Sequence, residues 1–494
     1  MNSKNIPTLS KSKYLTGLQC PLRLWHQCYN PNLASEVSPA QQALFDTGHE
    51  VGELATRLFG EGILMESDPL RHEQAVRETF KAMENPLVKA IYEASFVYDD
   101  VRVRVDILAR IGGSKWNLIE VKSSTRVKNE YLPDVEVQYH VLKGVGLDID
   151  RVILLHLNNQ YVYDGGKLDL EHFFIPSDLT QETLLSQEEI SGKLQEFRDM
   201  LQNPHPPGAI PSRSCFNPHP CEFWEHCRQD MPEHWIIQLG GIGQNKLNEL
   251  TSMGIEDIRS VPDSFPLSDI QNRIRNCVKN NEEYLSRELR SELEEVEYPV
   301  HFLDFETLGL AVPRYAGTRP YQTVPFQWSD HILYGDGKIE HREYLCDDDK
   351  DPREEFAVTL LEALEGRGSV ITYTSYEEGV IRGLAEDLPR YRDQLLAILG
   401  RIIDLYVIIK KHYYHPEFHG SFSLKSVLPA LLPEMDYRNL DVQEGQQAGL
   451  EYLRMISPSA PSGEKAKIRK ALLNYCERDT LAMLKIREDL LKRF

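Results

Sequence analysis

The chain has 494 residues, more than one hydrophobic core usually serves, so two or more domains are expected. It is 41% hydrophobic and 27% charged, within the range of chains that build packed cores. Its formal net charge of −21 excludes a protein that coats nucleic acid or an anionic membrane with its whole surface, but not an enzyme whose acids gather in metal sites.

The N-terminal stretch MNSKNIPTLSKSKYLTG lacks an apolar core of signal-peptide length, and no run of about 18 apolar residues occurs. A cytoplasmic protein without a membrane partner is the expectation. Residues 10–60 read as helical, with LTGLQCPLRLWHQCY and ALFDTGHEVGELATRLFG as two periodic segments around a proline-containing loop. ASFVYDDVRVRVDILARI alternates as a hairpin or meander does, and WNLIEVKSS is a further strand. DVEVQYHVLKGVG predicts a helix and DRVILLHLN another strand, which completes an α/β domain over 1–235. Residues 203–220 are rich in proline and turn formers and run into Cys215, Cys221 and Cys227.

A mostly helical connector is predicted over 236–297. Its IIQLGGIGQNKLNELTSMGIEDIRSVP has the Gly-rich turns of a helix-hairpin-helix element, although a plain connector explains it as well. NEEYLSRELRSELEEVE predicts a charged helix leading into the next domain. Over 298–494 the pattern returns to α/β: HFLDFETLG, QWSDHILYG and SVITYTS are strands, with helices over 352–366, 377–400 and 463–491.

Two constellations carry chemistry. In the first, Asp106 closes VRVRVD, while Glu120 and Lys122 are separated by one residue on WNLIEVKSS and so share a strand face. Carboxylates from two strands can hold a divalent ion through hard oxygen ligands, and a neighbouring lysine can offset charge developing on a phosphate. Surface acids and a Glu–Lys pair on a strand explain the same residues without a site. Arg102, Arg104, Arg126 and Lys128 are candidate phosphate contacts. The alternating arginines of VRVRVD also suit the solvent face of an edge strand.

GHEVG, RVD, EVKSS and the glutamine of VQYH resemble, in order, the motif blocks of RecB-like nucleases of the PD-(D/E)xK superfamily. The resemblance implies a restriction-endonuclease-like fold, with His49, Asp106 and Glu120 on a metal, Lys122 catalytic and Gln138 supporting. The tyrosine this family places four residues beyond its glutamine is Leu142 here. Cys20 in LQCPLRLW, followed after the core by Cys215, Cys221 and Cys227, resembles the iron–sulfur branch of these nucleases. That implies a [4Fe-4S] cluster stapling the two ends of the domain, with zinc as the alternative that spacing alone leaves open.

In the second constellation, Asp304 and Glu306 share one strand face, Asp404 ends RIID, and Asp479 lies four residues after Tyr475 in NYCERDTLAML, on the same helical face. Acids collected from several elements can hold two ions for phosphodiester hydrolysis. This half resembles DnaQ-like DEDD exonucleases of the tyrosine subtype, which implies an RNase H-like α/β domain. Asp304, Glu306 and Asp479 then bind metal, Glu377 supplies the middle acid with Asp404 supporting or substituting for it, and Tyr475 orients water. HGSFSLKSVLPAL resembles the segment preceding the last motif and makes Lys425 a candidate phosphate contact. The two-module arrangement is also similar to a bacterial family of unknown function.

The resulting expectation is a nuclease with two Mg2+ or Mn2+ centres, acting on DNA in preference to RNA, with a helicase or a defence or repair complex as partner. The alternatives are a nucleic-acid-binding or partner-binding scaffold with one inactive module, and an RNA exonuclease acting through the C-terminal module.

Overall fold

A computed structural model describes residues 7–65 and 71–494. The chain forms two compact units, one comprising the residues up to Asp230 together with Leu310–Tyr321, the other comprising Met231–Gly309 and Gln322–Phe494. Both are mixed α/β, each with its own helix-flanked sheet.

The first unit contains β1 (Leu9–Ser10), β2 (Ile63–Leu64), β3 (Ala90–Tyr98), β4 (Val101–Gly112), β5 (Lys115–Lys122), β6 (Asp148–Leu157) and β7 (Phe174–Asp178). They form a seven-stranded sheet in the order β2-β3-β4-β5-β6-β7, with β1 beside β4. The β3-β4-β5 meander is antiparallel, and β6 returns parallel to β5 after the helix Leu132–Gly144. On β4, Val101, Val103 and Val105 are buried while Arg102, Arg104 and Asp106 are half-buried, the period of two that a strand imposes. Because β4 lies between β3 and β5, the edge-strand explanation for its arginines fails.

The second unit holds β8 (Tyr284–Leu285), β9 (Val300–Gly309), β10 (Thr323–Leu333), β11 (Ile339–Leu345), β12 (Val370–Thr372), β13 (Ile402–Asp404) and β14 (Tyr413–Tyr414). Five of them order as β11-β10-β9-β12-β13, antiparallel through β11-β10-β9 and parallel through β9-β12-β13, while β8 and β14 pair separately. Leu303 and Phe305 of β9 bury against Phe356, Leu360, Val380 and Ile381, whereas the intervening Asp304 meets Cys476 of the helix Ser462–Lys492. Gln327 Nε2 of β10 donates to Leu472 O of that helix at 2.9 Å, and Ser329 Oγ hydrogen-bonds Thr480 Oγ1 at 3.0 Å. One sheet face thus builds a dry core and the other presents polar groups to a single long helix.

The expected connector falls inside the second unit. Its Gly-rich turn precedes the helix Gln244–Ser252, which ends at Gly254 with a φ of +73°, and the helix Asp269–Asn280 follows. Two predicted helices are shorter than the pattern implied. The charged segment over 281–297 forms the short strand β8 and the helix Leu289–Glu294, after Asn281 closes the preceding helix in the left-handed region. The helix predicted over 377–400 divides into Tyr376–Asp387 and Arg392–Leu399 at Pro389, since proline disfavours the helical conformation of the residue before it.

Candidate metal centres

In the second unit, ligand oxygens of Asp304, Glu306 and Asp479 lie within 4.8 Å of one another. The first two are placed by alternate positions on β9, and the third by the helix Ser462–Lys492 that crosses that strand. Burial pushes the carboxyls of Asp304 and Glu306 well above the usual range, and Asp479 and Glu377 add repulsion to both. Asp479 is pushed up by burial to about 6, even though it accepts a hydrogen bond from Tyr437 OH. Tyr475 also hydrogen-bonds Asp479, and its own ionisation is driven up by burial and then by the surrounding acids.

Glu377 stands on the first turn of Tyr376–Asp387 and is 3% exposed. Burial, followed by repulsion from Asp404 and Asp479, raises its carboxyl to about 8. Its Oε2 has no hydrogen-bond partner among the described residues. Asp404 is occupied structurally: its Oδ1 accepts from Thr374 N at 3.0 Å and from Val407 N at 3.3 Å, capping the helix Leu405–His412. Lys425 stands over the rings of Tyr475 at 5.4 Å and Tyr437 at 5.6 Å, and its charge opposes the upward shifts of Glu306 and Asp479. Several buried acids with so little countercharge form an arrangement that a divalent cation would relieve, and their hard oxygens suit Mg2+ or Mn2+.

In the first unit Asp106, Glu120, Lys122 and Gln138 come together in a different electrostatic setting, and among the described residues no group of three or more ligand atoms within 4.8 Å includes Asp106, Glu120 or His49. Ile107 pairs with Ile119, which makes Asp106 and Glu120 the next opposed positions of β4 and β5, and Asp106 Oδ2 accepts from Val121 N at 2.8 Å. Lys122 Nζ contacts Glu120 Oε1 at 2.7 Å and Asp134 Oδ2 at 2.5 Å. Gln138 Nε2 donates to Glu120 Oε2 at 2.8 Å and to Asp134 Oδ1 at 3.1 Å. Lys11 Nζ reaches Glu120 Oε1 at 3.1 Å and Asp134 Oδ1 at 3.2 Å. Burial and Asp106 oppose the charge on Glu120, but Lys11 and Lys122 outweigh them and hold its carboxyl below the usual range. Asp106 and Asp134 are raised by burial. His49 is exposed on the helix Pro39–Thr56. Leu142, where the family has a tyrosine, is fully buried in the core.

Sequence reading passed over Lys11 and Asp134, because a lysine near an N-terminus and an acid in the first turn of a helix are commonplace. Tyr437 and Cys476 escaped for a similar reason, although Cys476 Sγ lies 3.2 Å from Asp304 Oδ2. Of the basic candidates, Arg102 and Arg104 lie on β4 in step with Asp106, with Arg104 Nε 3.6 Å from Glu93 Oε2. Arg126 and Lys128 are exposed, and Lys128 lies 3.5 Å from Glu130.

The cysteines of the two flanks are drawn together. Gln19 Nε2 donates to Ser214 O at 2.6 Å and His219 O at 2.7 Å, and Cys221 N donates to Cys215 O at 2.7 Å. Burial raises the thiols of Cys215, Cys227 and Cys221, the last to about 11. Cys20 adds repulsion at Cys215 and Cys227, and Cys215 does so at Cys221 and Cys227. Among the described residues, no group of three or more ligand atoms within 4.8 Å includes a cysteine. A second group within that compass is His331, His341 and Glu477.

Among the described residues these features define a mixed α/β protein with two helix-flanked sheets, a separate two-stranded pair and two side-chain clusters able to coordinate a metal ion. A family model described as "Domain of unknown function (DUF2779)" matches residues 301–423, from the strand of Asp304 and Glu306 to just short of Lys425. No curated protein and no solved structure matches the chain. No helix among the described residues is long and apolar enough to cross a membrane.

Proposed function

We propose that the protein is a metal-dependent phosphodiester hydrolase acting on nucleic acid, DNA in preference to RNA, through a DnaQ-like exonuclease centre in the second unit and a RecB-like centre in the first. The observation that carries this reading is the convergence of Asp304, Glu306 and Asp479 within 4.8 Å, joined by a buried Glu377. Divalent ions held there supply Lewis-acid polarisation of a phosphate ester. Asp304, Glu306 and Asp479 would hold them, with Glu377, whose Oε2 has no hydrogen-bond partner among the described residues, as the middle acid. The Tyr475 hydroxyl orients toward Asp479, and Lys425, exposed beside Tyr475, offers positive charge to a phosphate.

In the first unit, Asp106 and Glu120 would hold the ion and His49 would complete the set. Lys122 and Gln138 would position the Glu120 carboxylate, and Lys122 would also offset charge developing on the phosphate. The four cysteines Cys20, Cys215, Cys221 and Cys227 are proposed to carry a [4Fe-4S] cluster. A zinc ion on the same four thiols is the alternative.

The test is digestion of end-labelled single- and double-stranded DNA and RNA with Mg2+ or Mn2+, comparing wild type, Asp304→Ala and Lys122→Ala. Loss of one activity in each variant is expected, and wild-type digestion by both variants would refute the reading. Anaerobically purified protein should be brown with about four irons per chain. Colourless protein with stoichiometric zinc would overturn the cluster.

A further inference from the structure

The group His331, His341 and Glu477 takes no part in the proposed hydrolysis. We infer that it is a separate site for a borderline-soft divalent cation of the zinc type, and that this cation ties the β10–β11 hairpin to the helix Ser462–Lys492.

The three residues come from three elements. His331 on β10 and His341 on β11 are direct cross-strand partners, with ring centroids 4.5 Å apart and planes inclined by 31°. Glu477 comes from the long helix, and one ligand atom of each residue lies within 4.8 Å of the others. Each imidazole already has one nitrogen engaged: His331 Nδ1 with Thr480 Oγ1 at 2.8 Å, and His341 Nε2 with Ser329 Oγ at 2.9 Å. These hydrogen bonds leave the second nitrogen of each ring, His331 Nε2 and His341 Nδ1, unused. Hydroxyl partners of this kind hold the orientation of the ring.

The chemistry of the donors selects the cation. Two imidazoles and one carboxylate suit zinc and its neighbours rather than Mg2+ or Ca2+, which favour an all-oxygen shell. Of the cations nearby, Lys485 acts electrostatically on His331. Lys485 is itself paired with Glu488 Oε2 at 2.8 Å, which tempers its opposition to a cation. His331 is 5% exposed, but His341 and Glu477 are only half-buried, leaving a path for the ion and for water to complete its shell. Neither imidazole contacts a carboxylate of the Asp304 centre, so the inference stands whether or not the chain cleaves nucleic acid.

The experiment is zinc analysis of the full chain. Wild type, His341→Gln and Glu477→Gln are stripped with chelator, loaded with Zn2+, dialysed and measured for bound zinc, with thermal unfolding recorded before and after loading. Both substitutions are at half-buried positions, and the unloaded melting curves establish that the variants fold. The expected result is one zinc equivalent per chain fewer in each variant, together with loss of part of the zinc-induced rise in Tm. The same zinc content and the same Tm rise in folded variants would overturn the site. If both variants fail to fold, Co2+ titration of wild type decides. The expected spectrum contains a weak visible band from nitrogen and oxygen ligation, outside the intense near-ultraviolet band of cobalt–thiolate sites. Cobalt spectra showing thiolate ligation alone would overturn it.

Discussion

At the scale of single residues, the acid centre is governed by charge that the fold has removed from water. Asp304, Glu306, Glu377 and Asp479 all have raised carboxyls, Asp479 at about 6 and Glu377 at about 8. A carboxyl raised by folding binds protons more tightly in the folded chain than in the unfolded one. Its stabilising effect is therefore complete below the unfolded pKa of about 4 and is lost as pH rises through the folded value. Metal-free protein is accordingly expected to lose thermal stability between about pH 5 and about pH 8, and saturating Mn2+ should restore more at the upper end. A pH-independent Mn2+ effect on Tm would contradict that charge balance. Asp304→Asn should raise the Tm of metal-free protein at pH 8 by relieving repulsion, while lowering cleavage on the order of 100-fold or more. Lys11 presents the opposite case. It supports two buried carboxylates, Glu120 and Asp134, so Lys11→Met is expected to cost about 3 kcal/mol, measured by urea unfolding.

At the scale of elements, β9 does two jobs through its alternation. Asp304 faces the polar side, while Leu303 and Phe305 pack on the helix Arg353–Ala363 through Phe356, whose ring lies 5.0 Å from that of Phe305. Phe356→Ala is expected to destabilise the second unit by about 3–5 kcal/mol through the cavity it leaves. Because that cavity lies behind the acid-bearing strand, divalent-ion affinity should fall as well, which isothermal titration can measure. The strands, and the helices with regular apolar spacing, were legible in the sequence because their periodicity is local. Over 281–297 the expected helix gives way at Tyr284–Leu285 to a strand paired with Tyr413–Tyr414, a partner distant in sequence, whereas the break at Pro389 is local, since proline disfavours helix in the residue before it.

At the scale of the whole molecule, two units with separate sheets allow two independent centres. If both act, Lys122→Ala and Asp304→Ala should remove separable activities, and the double variant should remove all cleavage. A double variant that retains activity would place the chemistry elsewhere. The carboxylate pair of β9, the Tyr475–Asp479 spacing and the flanking cysteines were visible as residue types in sequence. Their company was less visible: Lys11 meeting Glu120 across 109 positions and Cys476 meeting Asp304 across 172 leave no local signature.

Sequence by itself determined the α/β character, the strand faces carrying Asp106, Glu120, Asp304 and Glu306, and the breadth of the chemistry they could support. Backbone periodicity and residue type are properties of neighbouring positions, and a reader can recover them without a fold. Only the tertiary structure decided that Asp479 closes on the β9 pair, that Asp404 caps a helix, and that His331, His341 and Glu477 share one place. Proximity between distant residues depends on which sheet faces and helices bury against each other, and burial then sets the charge each carboxyl can carry.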